Sequence, residues 1–152
     1  MRRLRAYPDT SVFGGYYDPE FEFASRKFFR EVEQGRMLLV VSDLTVAELG
    51  GAPPAVWNLF HGLPDHLVER VTITSECEAL RDAYLSAGVV GEASASDALH
   101  IAIATVVSAD LVVSWNFKHI VHHTRIAGFE GVNLMRGYRS PRIYSPREVI
   151  ET

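Results

Sequence analysis

Short runs of consecutive apolar residues alternate along this chain with segments whose apolar positions recur every three or four residues. Segments 4–7, 37–41, 67–73 and 111–114 read as strands, and of these 37–41 and 111–113 are unbroken apolar runs. Met37-Leu38-Leu39-Val40-Val41 and Leu111-Val112-Val113 have no polar face, the pattern of strands covered on both sides. Between the strands, Phe21, Ala24, Phe28 and Val32 predict a helix that opens at Pro19, with Glu20 and Glu22 near its positive end, and closes at Gly35. Ser42 reads as the cap of a helix over 43–49, broken by Gly50-Gly51 and Pro53-Pro54, with a second short helix over 55–61. Ser75 reads as the cap of a helix that runs to Gly88, and 94–109 is apolar nearly all round, as a buried helix is. Pro8 ends the first strand, Gly14-Gly15 reads as a turn or flexible loop, and 132–135 as a last strand. Residues 136–147 are expected to be extended or looped before a short end helix. Strands alternating with helices call for an α/β fold: a central parallel sheet between two helical layers, in three layers α/β/α.

Composition narrows the class without changing that picture. A chain of 152 residues and 17.0 kDa has the size of one domain, so 1–152 is read as a single unit, and 47% hydrophobic with 22% charged residues excludes a disordered chain. One cysteine, Cys77, excludes an internal disulfide and a cysteine-rich zinc site and fits a reducing compartment. The longest apolar stretch, 101–107 with Thr105 inside it, falls far short of the roughly 20 residues that span a bilayer. No apolar segment follows the arginines at the start, so no signal peptide is read; the expected setting is cytoplasmic, away from membranes. The net charge of −4 is uneven: residues 9–110 carry −10 and 111–147 carry +5. An acidic body beside a basic stretch permits a polyanionic partner held at one edge.

In open parallel sheets ligands bind outside the carboxyl ends of the strands, so the polar residues that follow each predicted strand are the candidates for chemistry. Asp9 follows the first, in Asp9-Thr10-Ser11-Val12; Glu48 lies on the helix after the second; Asp97 opens the buried helix; Ser114-Trp115-Asn116 follows the strand at 111. Carboxylates brought together repel, and a hard cation such as Mg²⁺ or Mn²⁺ makes such a cluster sensible. Each acid also has a plain structural reading. Asp9 can bond the turn after it, and Thr45-x-x-Glu48 and Ser94-x-x-Asp97 both match the helix capping box.

The order of these segments resembles the PIN-domain ribonucleases, including toxins of the VapC type. It rests on Asp9-Thr10-Ser11-Val12, Ala47-Glu48-Leu49, Ser96-Asp97-Ala98-Leu99-His100-Ile101-Ala102 and Leu111-Val112-Val113-Ser114-Trp115-Asn116, spread over about residues 4 to 135. The resemblance implies a Mg²⁺- or Mn²⁺-dependent site that hydrolyses RNA phosphodiesters. Asp9 and Asp97 would be metal ligands, Glu48 a ligand or a base, and Thr10, Ser11, Ser114 and Asn116 residues that orient them or touch substrate. It also implies RNA as partner, an antitoxin protein as a second partner, and a two-fold dimer, for which apolar Phe21, Phe28 and Phe29 on more than one helical face are a further motive. The chain departs from the family at Asn116, where a fourth acid is common, and at Pro8, which removes a donor from the first strand. A PIN-like domain that binds RNA or protein with weak or lost cleavage is the competing reading.

Other motifs carry less. Asp9-Thr10-Ser11-Val12 also resembles the nucleophile loop of haloacid-dehalogenase-type phosphatases, but Ser11 stands where those need a second aspartate. No glycine-rich phosphate loop is present. His119, His122 and His123 lack a strong fourth ligand and read as surface or helix-terminal residues, and His100, one turn after Asp97, as a packed histidine near the site. Trp115, Tyr16 and Tyr17 are candidates for base stacking, with core packing favoured for Trp115.

Overall fold

A computed structural model describes residues 3–151. Five strands, β1 (Leu4–Pro8), β2 (Met37–Ser42), β3 (Val68–Val71), β4 (Leu111–Val113) and β5 (Arg142–Tyr144), form one parallel sheet in the order β3-β2-β1-β4-β5. Because side chains alternate along a strand, each face of the sheet collects its own core. On one face Ala6, Leu39, Val41 and Val113 pack with Phe13 of α1 (Thr10–Gly15), Phe28 and Phe29 of α2 (Glu22–Glu33), Phe60 of α4 (Pro54–His61) and Val149 of α8 (Pro146–Ile150). On the other, Tyr7, Val40, Val112 and Ile143 pack with Leu80 and Tyr84 of α5 (Ser75–Ser86), Ile101 and Ile103 of α6 (Ala95–Val106) and Phe129 of α7 (His123–Met135). The architecture is therefore the expected three-layer α/β/α with a central parallel sheet. Burying a phenylalanine such as Phe28 or Phe29 contributes about 1.5–3 kcal/mol, and both lie inside this core, so neither is available to a dimer surface.

The predicted helix over 43–49 is α3 (Asp43–Gly50), capped by Ser42 as expected. Gly35 and Gly88 do end helices, each at a positive φ that glycine adopts without strain. Pro8 stays in β1: pairing with β2 runs over Leu4 to Ala6, and the pairing with β4 reaches Pro8, so the missing N–H falls where the β2 ladder has already ended. The helix expected from Pro19 starts later, at Glu22, because the Asp18 carbonyl and carboxylate take the N–H groups of Glu20, Phe21 and Glu22 in a turn. Thr74, not Ser75, caps α5 through its hydroxyl.

Further expectations are corrected. Residues 132–135 are the last turn of α7, not a strand: His122 caps that helix, and Met135 is 89% exposed, so the apolar run there lies at the surface. The last strand is β5, inside the stretch expected to be extended or looped, where one of three residues is buried and periodicity has nothing to register. Gly14-Gly15 is not a loop but the end of α1. A Cβ on Gly15 would stand 2.6 Å from Ser25 Oγ and 2.7 Å from Trp115 Nε1, atoms that hydrogen-bond each other at 2.8 Å; a Cβ on Gly14 would meet nothing within 4 Å.

The two glycines therefore separate in a mutational test. Gly15→Ala is expected to destabilise by about 1–3 kcal/mol through overpacking, whereas Gly14→Ala is expected to be neutral or to stabilise by up to about 1 kcal/mol through helix propensity. Denaturant unfolding of both variants measures the contrast, and equal effects would contradict it.

Candidate active site

Strand order reverses between β1 and β4, since the chain leaves β1 toward β2 and β3 and returns to β4 and β5. That junction is the switch point at which open α/β sheets form a crevice at their carboxyl ends. Asp9 emerges from β1 there, its N–H donating to the Val113 carbonyl at 3.0 Å, and Ser114 to Asn116 emerge from β4 beside it.

Asp9 caps α1 and is 5% exposed. Its Oδ1 accepts from the Ser11 N–H at 3.2 Å and the Ser11 hydroxyl at 2.5 Å, and its Oδ2 from the Ser114 hydroxyl at 2.7 Å. The Ser11 oxygen in turn accepts the Trp115 N–H and the Ser114 oxygen the Asn116 N–H, so the two serines tie the loop after β4 to the carboxylate. Burial pushes the Asp9 pKa up; His100 and the two serine hydroxyls oppose this and Asp97 adds to it. The plain role expected of Asp9, bonding its own turn, is thus real, and it uses three of about four acceptor positions on an ionised carboxylate.

The capping-box readings of the other two acids do not hold. Ser94 makes no side-chain cap bond, which leaves Asp97 free of that duty. Thr45 is not a cap, because its own N–H donates to Ser42, and the Glu48 side chain turns elsewhere. Glu48 Oε1 accepts from the Thr10 hydroxyl at 2.5 Å and pairs with His100 Nε2 at 2.7 Å. Burial raises the Glu48 pKa, but the His100 bond and charge and the Thr10 bond outweigh it, and the net direction is down.

Asp97 lies in the same field. Burial pushes its pKa up, His119, His100 and a hydrogen bond from Asn116 pull it down, and Glu48 pushes it up. Asn116 Oδ1 already accepts the N–H groups of Lys118 at 3.2 Å and His119 at 2.9 Å, so the amide NH₂ is the group it has for Asp97. At the position of the missing fourth acid the chain places a neutral donor, not an oxygen free to ligate. His119 beside Asp97 and Tyr7 behind Glu48 were not assigned roles from sequence, whereas His100 is the packed histidine near the site that was expected. His100 at i+3 from Asp97, and Tyr7 two residues before Asp9 on the same strand face, are the signals that point to them.

The site thus gathers Asp9, Glu48, Asp97, Thr10, Ser11, Ser114 and Asn116 at one end of the sheet. Among the described residues no group of three or more His, Cys, Asp or Glu is arranged to hold a metal ion. Asp9 and Asp97 are hard oxygen donors, which suit Mg²⁺ or Mn²⁺ in kind, and each is pushed toward its neutral form in the absence of a cation. Glu48 is committed to His100 and Thr10. Of the three acids, Glu48 alone pairs with a basic side chain at hydrogen-bond distance among the described residues.

The surroundings divide. Lys118 follows Asn116, and Arg147 lies over the Trp115 ring at 5.2 Å, near the site. Arg139 and Arg142 instead line a cavity of about 870 Å³, with Leu4, Arg36, Met37 and Asp110, at the opposite end of the strands; it contains none of the site residues. The basic stretch is not one surface. Trp115 is buried, stacked on Phe21 at 4.2 Å and bonded to Ser25, as core packing requires, whereas Tyr17 and Phe117 are exposed. His122 is helix-terminal as expected. Among the described residues no helix is long and apolar enough to cross a membrane.

No protein-family model and no curated protein matches the sequence. Solved structures do. VapBC2 from Rickettsia felis, crystallised with a DNA fragment from its promoter, aligns over 93% of this chain and 98% of its own at 12% identity and a TM-score of 0.57. VapC20 from Mycobacterium tuberculosis, a Sarcin-Ricin loop cleaving toxin, aligns over 75% of this chain and 92% of its own at 15% identity and the same TM-score of 0.57. With the sheet order, the two helical layers and the acids at the switch point, these likenesses establish that the chain has the PIN-like fold of the VapC toxins.

Proposed function

We propose that this chain is a Mg²⁺- or Mn²⁺-dependent endoribonuclease of the VapC kind. The observation that carries the reading is the pair Asp9 and Asp97 at the sheet's switch point, two carboxylates that burial and mutual repulsion push toward neutrality. Such a pair is costly to keep ionised unless a cation is bound between the carboxylates.

Asp9 and Asp97 would hold the cation. When bound, it polarises a phosphodiester and lowers the pKa of an attacking water. Glu48, held below the usual carboxylate range, is ionised at neutral pH and would take the water's proton as the P–O bond to the sugar oxygen breaks, the departing oxygen taking a proton from solvent. Ser11 and Ser114 keep Asp9 oriented, and Asn116 does the same for Asp97. Lys118 supplies charge for phosphate, and Tyr17 and Phe117 supply exposed rings for bases. Single-stranded RNA is the substrate class this favours. An antitoxin partner belongs to the reading through its likeness to VapBC2, and a two-fold dimer through the fold alone, since Phe28 and Phe29 are core residues. A binding-only PIN-like domain is the second reading, favoured by Asn116 in place of an acid and by the commitment of Glu48 to His100.

Purified protein is expected to cleave single-stranded RNA with Mn²⁺ or Mg²⁺ and to stop on chelation. Asp9→Asn and Asp97→Asn are each expected to abolish cleavage. A raised folded pKa means stability is greatest at low pH and is lost as pH rises and the group ionises. Asp97→Asn in chelator at pH 7 is therefore expected to be as stable as the native chain or more so, with the gain vanishing near pH 3; for Asp9→Asn, the loss of an acceptor for two serine hydroxyls offsets the same relief. RNA binding without cleavage under any divalent cation would favour the second reading.

Asn116→Asp is expected to slow cleavage and to lower stability in chelator by about 1.5 kcal/mol, because a donor to Asp97 becomes a like charge. Mn²⁺ should raise its melting temperature more than that of the native chain. Faster turnover than native at saturating Mn²⁺ would contradict the assignment of Asn116.

A further inference from the structure

Behind the site, a line of side chains joins the core to Glu48. Tyr7 Oη lies 2.7 Å from Ser42 Oγ and 2.7 Å from His100 Nδ1, and His100 Nε2 lies 2.7 Å from Glu48 Oε1, which also accepts from Thr10 at 2.5 Å. Tyr7 is fully buried, His100 is 2% exposed, and the Glu48 side chain is 34% exposed, so the line runs from the interior to the edge of the site. It also closes on itself. Ser42 caps α3, Glu48 sits on α3, and Tyr7 with His100 connects the two from β1 and α6.

A buried tyrosine and histidine cost several kcal/mol if left unpaired, and an apolar pair would fill the same space without that cost. Here each polar atom of the two rings is satisfied, and the partners converge on one carboxylate oxygen. Both bonds to Glu48 fall on Oε1; Oε2 takes none among the described residues. The arrangement does not depend on the charge of His100. With a neutral ring, Nε2–H donates to Glu48 while Nδ1 accepts from the Tyr7 hydroxyl. With a protonated ring, Nε2–H still donates to Glu48 while Tyr7 accepts from Nδ1 and donates to Ser42.

We propose that Tyr7 and His100 are positioning residues that clamp Glu48 by Oε1, so that the glutamate acts from a fixed place through Oε2 instead of swinging in as a third metal ligand. This deepens, and rests on, the nuclease reading. The clamp explains why a carboxylate expected among the ligands is held by an imidazole, and why the donor set around Asp9 and Asp97 stops at two.

Four variants test it, with RNA cleavage and Mn²⁺ affinity by calorimetry measured side by side. Tyr7→Phe removes the hydroxyl and keeps the ring; His100→Asn keeps a partner for Tyr7 but none for Glu48; His100→Gln keeps an N–H at the Nε2 position. Tyr7→Phe and His100→Asn are expected to lower kcat about 10- to 100-fold, with KM for RNA and Mn²⁺ affinity unchanged, and His100→Gln to recover most of the loss. Glu48→Gln is expected to lose turnover and keep native Mn²⁺ affinity, whereas Asp97→Asn, the control, binds Mn²⁺ more weakly. Native turnover in Tyr7→Phe, or a His100→Gln as slow as His100→Asn, would overturn the clamp. So would a Glu48→Gln that loses Mn²⁺ affinity as Asp97→Asn does, because Glu48 would then be a ligand. If His100→Asn does not fold, Tyr7→Phe alone decides. A native chain inert toward RNA with every divalent cation would overturn the nuclease reading and the clamp with it, an outcome distinct from an active native chain with unaffected variants.

Discussion

Asp9 sits at 5% exposure where β1 ends against β4, and a carboxylate in that place stays ionised only with donors or a cation around it. Much of the neighbouring structure follows from that constraint. Ser11 and Ser114 bring hydroxyls to its two oxygens, and their own oxygens accept the Trp115 and Asn116 N–H groups, which fixes the loop after β4. That loop sets Asn116 against Asp97 and brings Trp115 onto Ser25, which in turn forbids a side chain at Gly15. Core, loop and acids are thus parts of one hydrogen-bonded arrangement around the switch point.

The three acids meet this constraint in three ways. Asp9 is buried and surrounded by hydroxyls, Asp97 is half-buried and met by a neutral amide, and Glu48 is held by an imidazole and a threonine. Only for Glu48 do the neighbours outweigh burial and drive the pKa down. Groups whose environments separate their protonation behaviour are suited to different tasks, and the proposed function gives two of these carboxylates to a cation and one to a proton. The amide at 116 belongs to this division, since it spares Asp97 a further like charge.

The architecture was legible because β2 and β4 are buried on both faces and so appear as apolar runs, and because the helices between the strands carry caps and glycine stops. β5 was not, being three residues long with one of them buried, and the apolar 132–135 misled because it is a surface turn of α7. At the site, Asp9, Glu48 and Asp97 were visible from their places after strands and at a helix start. What each side chain bonds was not, because Ser94 and Thr45 decline the caps their spacing offers and His100 reaches Glu48 from 52 positions away along the chain. Bonds of that separation depend on the assembled sheet, and no local pattern encodes them.

In the proposed function a hard cation belongs to Asp9 and Asp97 while Glu48 stays with His100. Crystals of the native chain soaked in Mn²⁺ and measured at the manganese absorption edge test it directly. One anomalous peak is expected in contact with the carboxylates of Asp9 and Asp97, with the Glu48–His100 bond intact. A peak that draws Glu48 away from His100 into the coordination sphere, or manganese bound elsewhere with these two carboxylates bare, would contradict it.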